Sequence, residues 1–384
     1  MNKEKLAIIG ASYLQLPLIE TAKKMGYETH VFAWAAGDVG ESAADVFYPI
    51  SITETEQILA QCRKIGICGI CTIASDLATV AVNHVAAALG LAGNSLACTQ
   101  CSTNKHAMRR AFEAAGDPSP RSILVDEGTD LGTLALEYPV IVKPTDRSGS
   151  RGITRLEDPA GLADAVSKAA EQSFEKKALI EEFAAGQEYS VECVSSRGRH
   201  TLVAMTLKYT TGAPHFIETG HLQPAPISPE LLEGVQTVVF HALDTLGITQ
   251  SISHSELKID AQGRIRIIEI GGRMGGDFIG SDLVHLSTGV DLVRAAVDLA
   301  VGKEPDLASV GPSGAAAVRF ILKPEDAEKL EQLKQNAPEL LVKSFVEPDQ
   351  NAPVVDSGSR LGYFVIRAEK AEALLPWLPE QRED

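Results

Sequence analysis

The amino-acid sequence predicts a multidomain protein of mixed α/β and α+β class, and three observations lead to that reading. Over the first hundred residues, short apolar runs alternate with helical segments. From residue 140 to residue 270 strand signals dominate instead. A loop at 306–314, carrying Pro312, then marks a boundary before a small α+β unit. A chain of 384 residues is too long for one average domain and suits two or three.

In the N-terminal part, Leu6-Ala7-Ile8-Ile9 reads as a strand and Gly10-Ala11-Ser12 as the turn into a helix ending near Gly26. Residues 29–33 form a second strand, 54–64 a helix and 69–73 a third strand; a further helix runs to Leu89, where Gly90 stops it. Such alternation means a Rossmann-like parallel sheet covered on both faces. Ser75 and Asp76 sit at the carboxyl end of a predicted strand, where open α/β sheets bind ligands, so both are candidate substrate contacts; the pair equally suits a helix N-cap. Gly10 lacks the rest of a G-x-G-x-x-G pattern, so no dinucleotide site is expected.

Beyond Ser102 a helix covers 104–115 and stops at Gly116, and Asp117-Pro118-Ser119-Pro120 breaks the chain. Strands are expected at 140–143, 178–183, 188–194 and 202–208, with one intervening helix capped by Asp158 and carrying Pro159 at its first position. A helix follows at 229–246, strands at 251–259 and 264–270, and a helix at 284–301. Residues 315–322 and 362–367 read as the strands of the last unit.

Composition narrows the function. Apolar residues make up 45% and charged residues 22%, which is ample for a core. A formal charge of −16 repels nucleic-acid phosphates and anionic membranes, so neither is an expected partner and small molecules are. The apolar run 6–9 is too short for a signal-peptide core, and no segment approaches the roughly 20 apolar residues of a membrane helix. The expected compartment is the cytoplasm. Cys68/Cys71 and Cys98/Cys101 each show C-x-x-C spacing. However, 68–73 reads as a buried strand, where residues three apart face opposite ways, and the gap between the pairs exceeds zinc-ribbon spacing. These cysteines are expected as small apolar filler.

The most informative stretch is 251–276. Two strand-like runs flank Asp260-Ala261-Gln262-Gly263, which has turn composition. If Ile259 pairs with Arg264, Glu256 lies opposite Ile267 and shares a face with Glu269, at roughly 7–8 Å between Cα atoms. Two carboxylates so placed could bridge Mg²⁺ ions about 3.5–4 Å apart. On this register Glu269 also shares a face with Ile265 and Ile267, where a carboxylate is costly unless paired or metal-bound; pairing with Arg266 or Arg273 is the plainer alternative. Gly271-Gly272-Arg273-Met274-Gly275-Gly276 follows, letting backbone approach a ligand at Gly275 and Gly276, and Arg273 suits a carboxylate or a transferring phosphoryl group.

Lys143 ends a strand and precedes a loop containing Ser148, Gly149 and Ser150, which suits phosphate binding through backbone N–H groups or, alternatively, a plain hairpin turn. No Walker A pattern is present. Glu181-Glu182-Phe183 ends another strand; a strand running into a hinge provides an apolar slot and backbone hydrogen bonds for adenine, and Glu188 could accept from a ribose diol. For each glutamate an exposed salt bridge is the alternative.

In this order the pieces resemble the ATP-grasp superfamily of carboxylate–amine ligases over the whole chain. Thr103-Asn104-Lys105 with Met108-Arg109 is similar to the start of the family's central domain, Val142-Lys143-Pro144 to its second nucleotide lysine, Glu181 to Glu188 to its adenine hinge and ribose glutamate, and Glu256 with Glu269-Ile270-Gly271-Gly272-Arg273 to its metal carboxylates and phosphate arginine. The resemblance implies a Rossmann-like domain at 1–102, an ATP-grasp fold of two α+β subdomains at 103–182 and 183–308, and a small C-terminal domain at 309–384. It implies ATP and Mg²⁺, with Mn²⁺ as an alternative ion, and acyl-phosphate chemistry joining a carboxylate to an amine. Many members carry asparagine where this chain has Gly271, and the glycine variant is similar to the L-amino-acid ligase branch. The stretch from Lys208 to His221 resembles that branch's substrate loop. By that likeness Glu218 binds a substrate ammonium and His221 stabilises the phosphorylated intermediate or orients the amine. Homodimers are common among such relatives. Two other readings remain: a purine-biosynthesis enzyme of the superfamily, phosphoribosylglycinamide synthetase-like or formyltransferase-like, which needs an Arg- and Lys-rich ribose-phosphate pocket, and a nucleotide-binding regulator without turnover.

Overall fold

The computed structural model describes residues 3–213, 216–309, 313–350 and 352–380. Pro312 lies outside the described residues. The first part comprises β1 (Lys5–Ile9), α1 (Leu16–Lys24), β2 (Glu28–Phe32), α2 (Val39–Ala43), β3 (Val46–Tyr48), α3 (Thr55–Ile65), β4 (Gly69–Cys71), α4 (Asp76–Leu89) and α5 (Leu96–Thr103). The sheet is parallel in the order β3-β2-β1-β4. Its central strand is buried on both faces, which is why Leu6 to Ile9 reads as a continuous apolar run. Ser75 caps α4 by accepting from the Ala78 N–H, and Gly90 ends it in the left-handed region at φ +66°.

The middle part begins with α6 (Lys105–Ala115), followed by β5 (Ser122–Val125), β6 (Val140–Pro144), β7 (Thr154–Leu156), α7 (Leu162–Gln172) and β8 (Ala178–Glu182). Its strands form an antiparallel sheet in the order β5-β8-β6-β7. The helix expected from Asp158-Pro159 starts later. Asp158 Oδ1 accepts from the Ala160 N–H at 2.7 Å and so closes a turn of its own, and Gly161, at φ +79°, is the actual N-cap of α7.

The rest comprises β9 (Gln187–Ser196), β10 (Arg199–Thr210), β11 (Glu218–Gln223), α8 (Pro229–Leu246), β12 (Ser251–Ile259), β13 (Ile265–Gly271), α9 (Val284–Thr288), α10 (Leu292–Ala300), β14 (Ala315–Ile321), α11 (Pro324–Asn336), β15 (Leu341–Val346) and β16 (Gly362–Ala368). The single helix expected at 284–301 is two: Gly289 ends α9 at φ +77° and Asp291 caps α10. One eight-stranded sheet runs β13-β12-β9-β10-β11-β14-β16-β15, so the C-terminal strands continue the sheet across residue 308. Residue 102 falls within α5.

This sheet has two unlike faces. Val191, Cys193, Met205, Leu257 and Ile267 pack with Val235, Val239 and Leu243 of α8 and Met108 and Phe112 of α6. Alternate residues on the same strands, Ser190, Glu192, Thr206, Lys208, His254 and Glu256, are polar and turn the other way, as period-two alternation requires. The N-terminal domain is fixed beside that polar face by a shared apolar cluster: Leu18 and Ile19 of α1, Cys71 of β4, and Val293 and Val297 of α10. All six cysteines are free, and burial pushes the thiols of Cys62, Cys71 and Cys98 up to about 12. Among the described residues no helix is long and apolar enough to cross a membrane.

Candidate active site

The hairpin of β12 and β13 sets the site, and its register differs from the expected one. Ile259 pairs with Ile265 rather than Arg264, and Leu257 with Ile267. Continued unbroken, that pairing would put Glu256 opposite Ile268 and turn Glu269 to the opposite face. A β-bulge intervenes. The register shifts between Glu256 and Leu257, Ile268 is the extra residue, and Glu256 lies directly opposite Glu269. The expected common face of Glu256 and Glu269 is therefore present, but Ile267 does not share it; Ile267 is buried in the core on the other side.

The bulge is held from α6. The Ile268 carbonyl accepts from Arg109 Nη2 at 2.6 Å, and the Ile267 N–H donates to the Pro118 carbonyl at 2.7 Å. Arg109 also reaches Glu181, Nε to Oε1 at 2.9 Å, and Lys143 Nζ lies 2.6 Å from Glu181 Oε2. All three side chains are buried. Burial pushes the Glu181 carboxyl up, but Arg109 and Lys143 outweigh it and hold it below the usual carboxylate range. Burial also pushes the Lys143 ammonium down. Glu181 is thus the centre of an internal ion cluster. Glu182 faces Arg121 and Arg266 at the surface, and the Arg155 guanidinium covers the Phe183 ring at 4.0 Å from its centroid.

The polar face of the large sheet forms the floor of a cavity of about 420 Å³. Glu218, His221, Glu256, Glu269, Arg273, Gly276, Asp76, Ser148 and Gly149, all marked by the sequence, line it. Lys105 and Ser75 line the adjoining cavity, which shares Asp76, Ser148 and Glu269 with it. Gly275 is turned away: a Cβ there would meet Glu192 Oε1 and His254 Nδ1, each at 2.7 Å. Ser150 Oγ donates to the Phe216 carbonyl at 3.1 Å, tying the serine–glycine loop to the loop before β11.

Each metal-candidate carboxylate has its own lysine. Glu269 accepts from Lys105 at 2.7 Å, and Glu256 from Lys208 at 2.6 Å. Lys208 lies opposite His221 in the sheet, 2.9 Å from Glu188 and 3.7 Å from Glu218. Burial works against its charge, but Glu188, Glu256 and Glu218 outweigh that and raise its pKa well above the usual lysine range. Glu256 is held well below its usual range: burial pushes it up, while Lys208 and His254 overcome it. Behind it, His254 Nδ1 makes a short contact with the wholly buried Glu192, whose other oxygen accepts from the Gly275 N–H at 2.9 Å. Burial alone would lower the His254 pKa; Glu192 raises it to about 9, so the ring is an imidazolium.

At the far end Glu218 accepts from Ser357 and Asp277 pairs with Arg360 at 2.7 Å. His221 stands edge-on to Phe320, 3.9 Å from Asp277, and burial keeps it neutral by lowering its pKa. Lys208, Glu192, His254, Asp277 and Arg360 were not marked by the sequence as site residues. A glutamate within the buried strand Gln187–Ser196 is the signal that could have found Glu192.

A family pattern described as ATP-grasp domain matches residues 136–282. Residues 136–282 thus carry an ATP-grasp domain. Alanine–anticapsin ligase of Bacillus subtilis is 24% identical over 292 residues, covering 68% of this chain and 60% of that protein. The chain thus spans about three fifths of that relative's length. Among solved structures, L-amino acid ligase from Bacillus licheniformis superposes with a TM-score of 0.81 at 22% identity, over 98% of this chain and 96% of that one. Phosphoribosylglycinamide synthetase from Anaerococcus prevotii gives 0.77 at 20%, with the same coverage. At these identities the likenesses show a shared fold over nearly the whole chain. By its name the Bacillus subtilis relative is a ligase. The residues present fit a divalent ion. Glu256 and Glu269 are opposed hard oxygen donors, and Mg²⁺ characteristically takes one or two protein carboxylates and leaves the remaining positions to phosphate and water.

Proposed function

We propose that the protein joins a carboxylate to an amine at the expense of ATP, through an acyl phosphate, with an amino acid as one substrate. The observation that carries this reading is the direct opposition of Glu256 and Glu269 in one cavity with Lys208 and Arg273, with Lys105 reaching Glu269 from the adjoining cavity. A substrate carboxylate oxygen attacks the γ-phosphorus and ADP leaves. The amine nitrogen then attacks the acyl carbon, the C–O bond to phosphate breaks, and the nitrogen gives up a proton. Glu256 and Glu269 would hold Mg²⁺, which supplies charge neutralisation for phosphoryl transfer. Lys105 and Arg273 add fixed positive charge where negative charge develops. Neutral His221, whose ring nitrogens have no hydrogen-bond partner among the described residues, is available to the amine or to the intermediate. Glu218 is the acceptor for a substrate ammonium.

The purine-type reading needs basic groups from the N-terminal domain. That domain contributes Ser12, Tyr13, Leu14, Ala74 and Asp76 to the cavity wall, with no lysine or arginine among the described residues. The amino-acid reading is favoured on that ground. Phosphate release is measured with ATP, Mg²⁺ and a panel of amino-acid pairs, and the product identified by mass. Release that depends on one pair and vanishes in Glu269→Ala is expected. ATP binding without release by any pair would favour a regulator instead.

A further inference from the structure

Arg273 is gripped by a residue from another domain. Its Nε donates to Asp76 Oδ1 and its Nη2 to Asp76 Oδ2, both at 2.8 Å. Such a two-point contact fixes the plane of a guanidinium as well as its position. Its other hydrogen bond runs from Nη1 to the carbonyl of the next residue, Met274, at 3.3 Å. Burial pushes the Asp76 carboxyl up, but the Arg273 charge overcomes this and holds it below the usual range, so the pair is ionic.

Asp76 is itself held rigidly. It is the first residue of the fourteen-residue helix α4, capped by Ser75. The turn before it is fastened to the arginine loop: the Ala74 N–H donates to the Met274 carbonyl at 3.1 Å, and a Cβ at Gly276 would stand 3.2 Å from the Ala74 Cβ. A Cβ at Gly271 would lie 2.7 Å from Asp76 Oδ1, closer than side chains approach. Gly271 and Gly276 are thus small because the N-terminal domain presses against them.

We infer that Asp76 is the positioning residue for Arg273: the N-terminal domain sets the orientation of the arginine that meets the transferring phosphoryl group. Gly271 is the clearance that contact requires. This rests on the proposed phosphoryl role of Arg273. The consequence is that docking of the N-terminal domain completes the catalytic field, although its cavity wall supplies no cation.

The test uses the full chain with Asp76→Asn, which keeps shape and loses charge, Gly271→Ala, which pushes the carboxylate aside, and the double variant. Each single change is expected to lower kcat about 100-fold, the scale of an ångström-sized misplacement, with KM for ATP within about twofold. The double variant falls no further than the worse single, because both changes break one contact. Wild-type kcat in Asp76→Asn, or losses that multiply in the double variant, would overturn the inference. Amide hydrogen exchange of 271–276 is measured alongside. Faster exchange in Asp76→Asn is expected, and unchanged exchange overturns the inference. That measurement judges the grip on Arg273 even if the wild-type chain ligates nothing, the result that sinks the functional reading instead.

Discussion

Glu256 and Glu269 oppose each other across β12 and β13 only because Ile268 is extruded between them and the apolar pair Leu257–Ile267. The bulge carbonyl has a dedicated donor in Arg109, which simultaneously neutralises buried Glu181. One side chain therefore links the Glu181 ion cluster to the geometry of the candidate metal carboxylates.

Arg109→Met is expected to do two kinds of damage. Removing one partner of a buried ion cluster costs about 3 kcal/mol, readable as a lower urea midpoint. Mg-ATP turnover at low temperature, where the variant stays folded, should fall further than the unfolded fraction explains. Turnover that only tracks the folded fraction would show that the bulge does not depend on Arg109.

Lys208 is the counter-charge for Glu188, Glu218 and Glu256. In Lys208→Met those carboxylates repel one another across a partly desolvated floor. The variant should melt well below wild type in EDTA, and Mg²⁺ should raise its melting temperature more than it raises that of the wild type. An equal Mg²⁺ shift in both proteins would argue that the divalent ion does not bind beside Lys208.

Gly275→Ala introduces a methyl group 2.7 Å from both members of the Glu192–His254 pair. Overpacking of this kind costs about 1–3 kcal/mol, and it also displaces the imidazolium that lies 3.4 Å from Glu256. Thermal unfolding and Mn²⁺ affinity should both decline. Gly263→Ala, at a turn with open space around it but at φ +75°, serves as the comparison: it is expected to lose stability through backbone strain yet leave Mn²⁺ affinity unchanged.

His221 gives stability a pH dependence of known sign. Its folded pKa lies below the usual histidine value because of burial. As pH falls below about 6.5, the unfolded chain takes up a proton at this residue that the folded chain does not, so stability drops. Urea unfolding at pH 7.5 and pH 5 should show a larger loss in wild type than in His221→Gln. Equal losses would mean that the ring titrates normally.

Much of the site was legible because chemistry and periodicity coincide. Lys143 stands near a strand end and Arg273 beside a glycine, while Glu256 and Glu269 are carboxylates set within apolar strands. The bulge was legible only in hindsight, in the three-residue spacing of the core residues Ile267 and Ile270. The helix expected at Asp158 failed because a side chain that can cap a helix can equally close a turn.

By itself the sequence determined the alternation of elements, the paired carboxylates and the ATP-grasp likeness, since these are properties of neighbouring residues and of short-period patterns. Tertiary structure alone decided which charges meet. Asp76 reaches Arg273 from 197 positions away, Lys105 reaches Glu269 from 164, and Lys208 reaches Glu256 from 48. Such pairs carry no periodic signal, because partner choice in a buried cavity depends on which domains dock and where a strand takes in one extra residue.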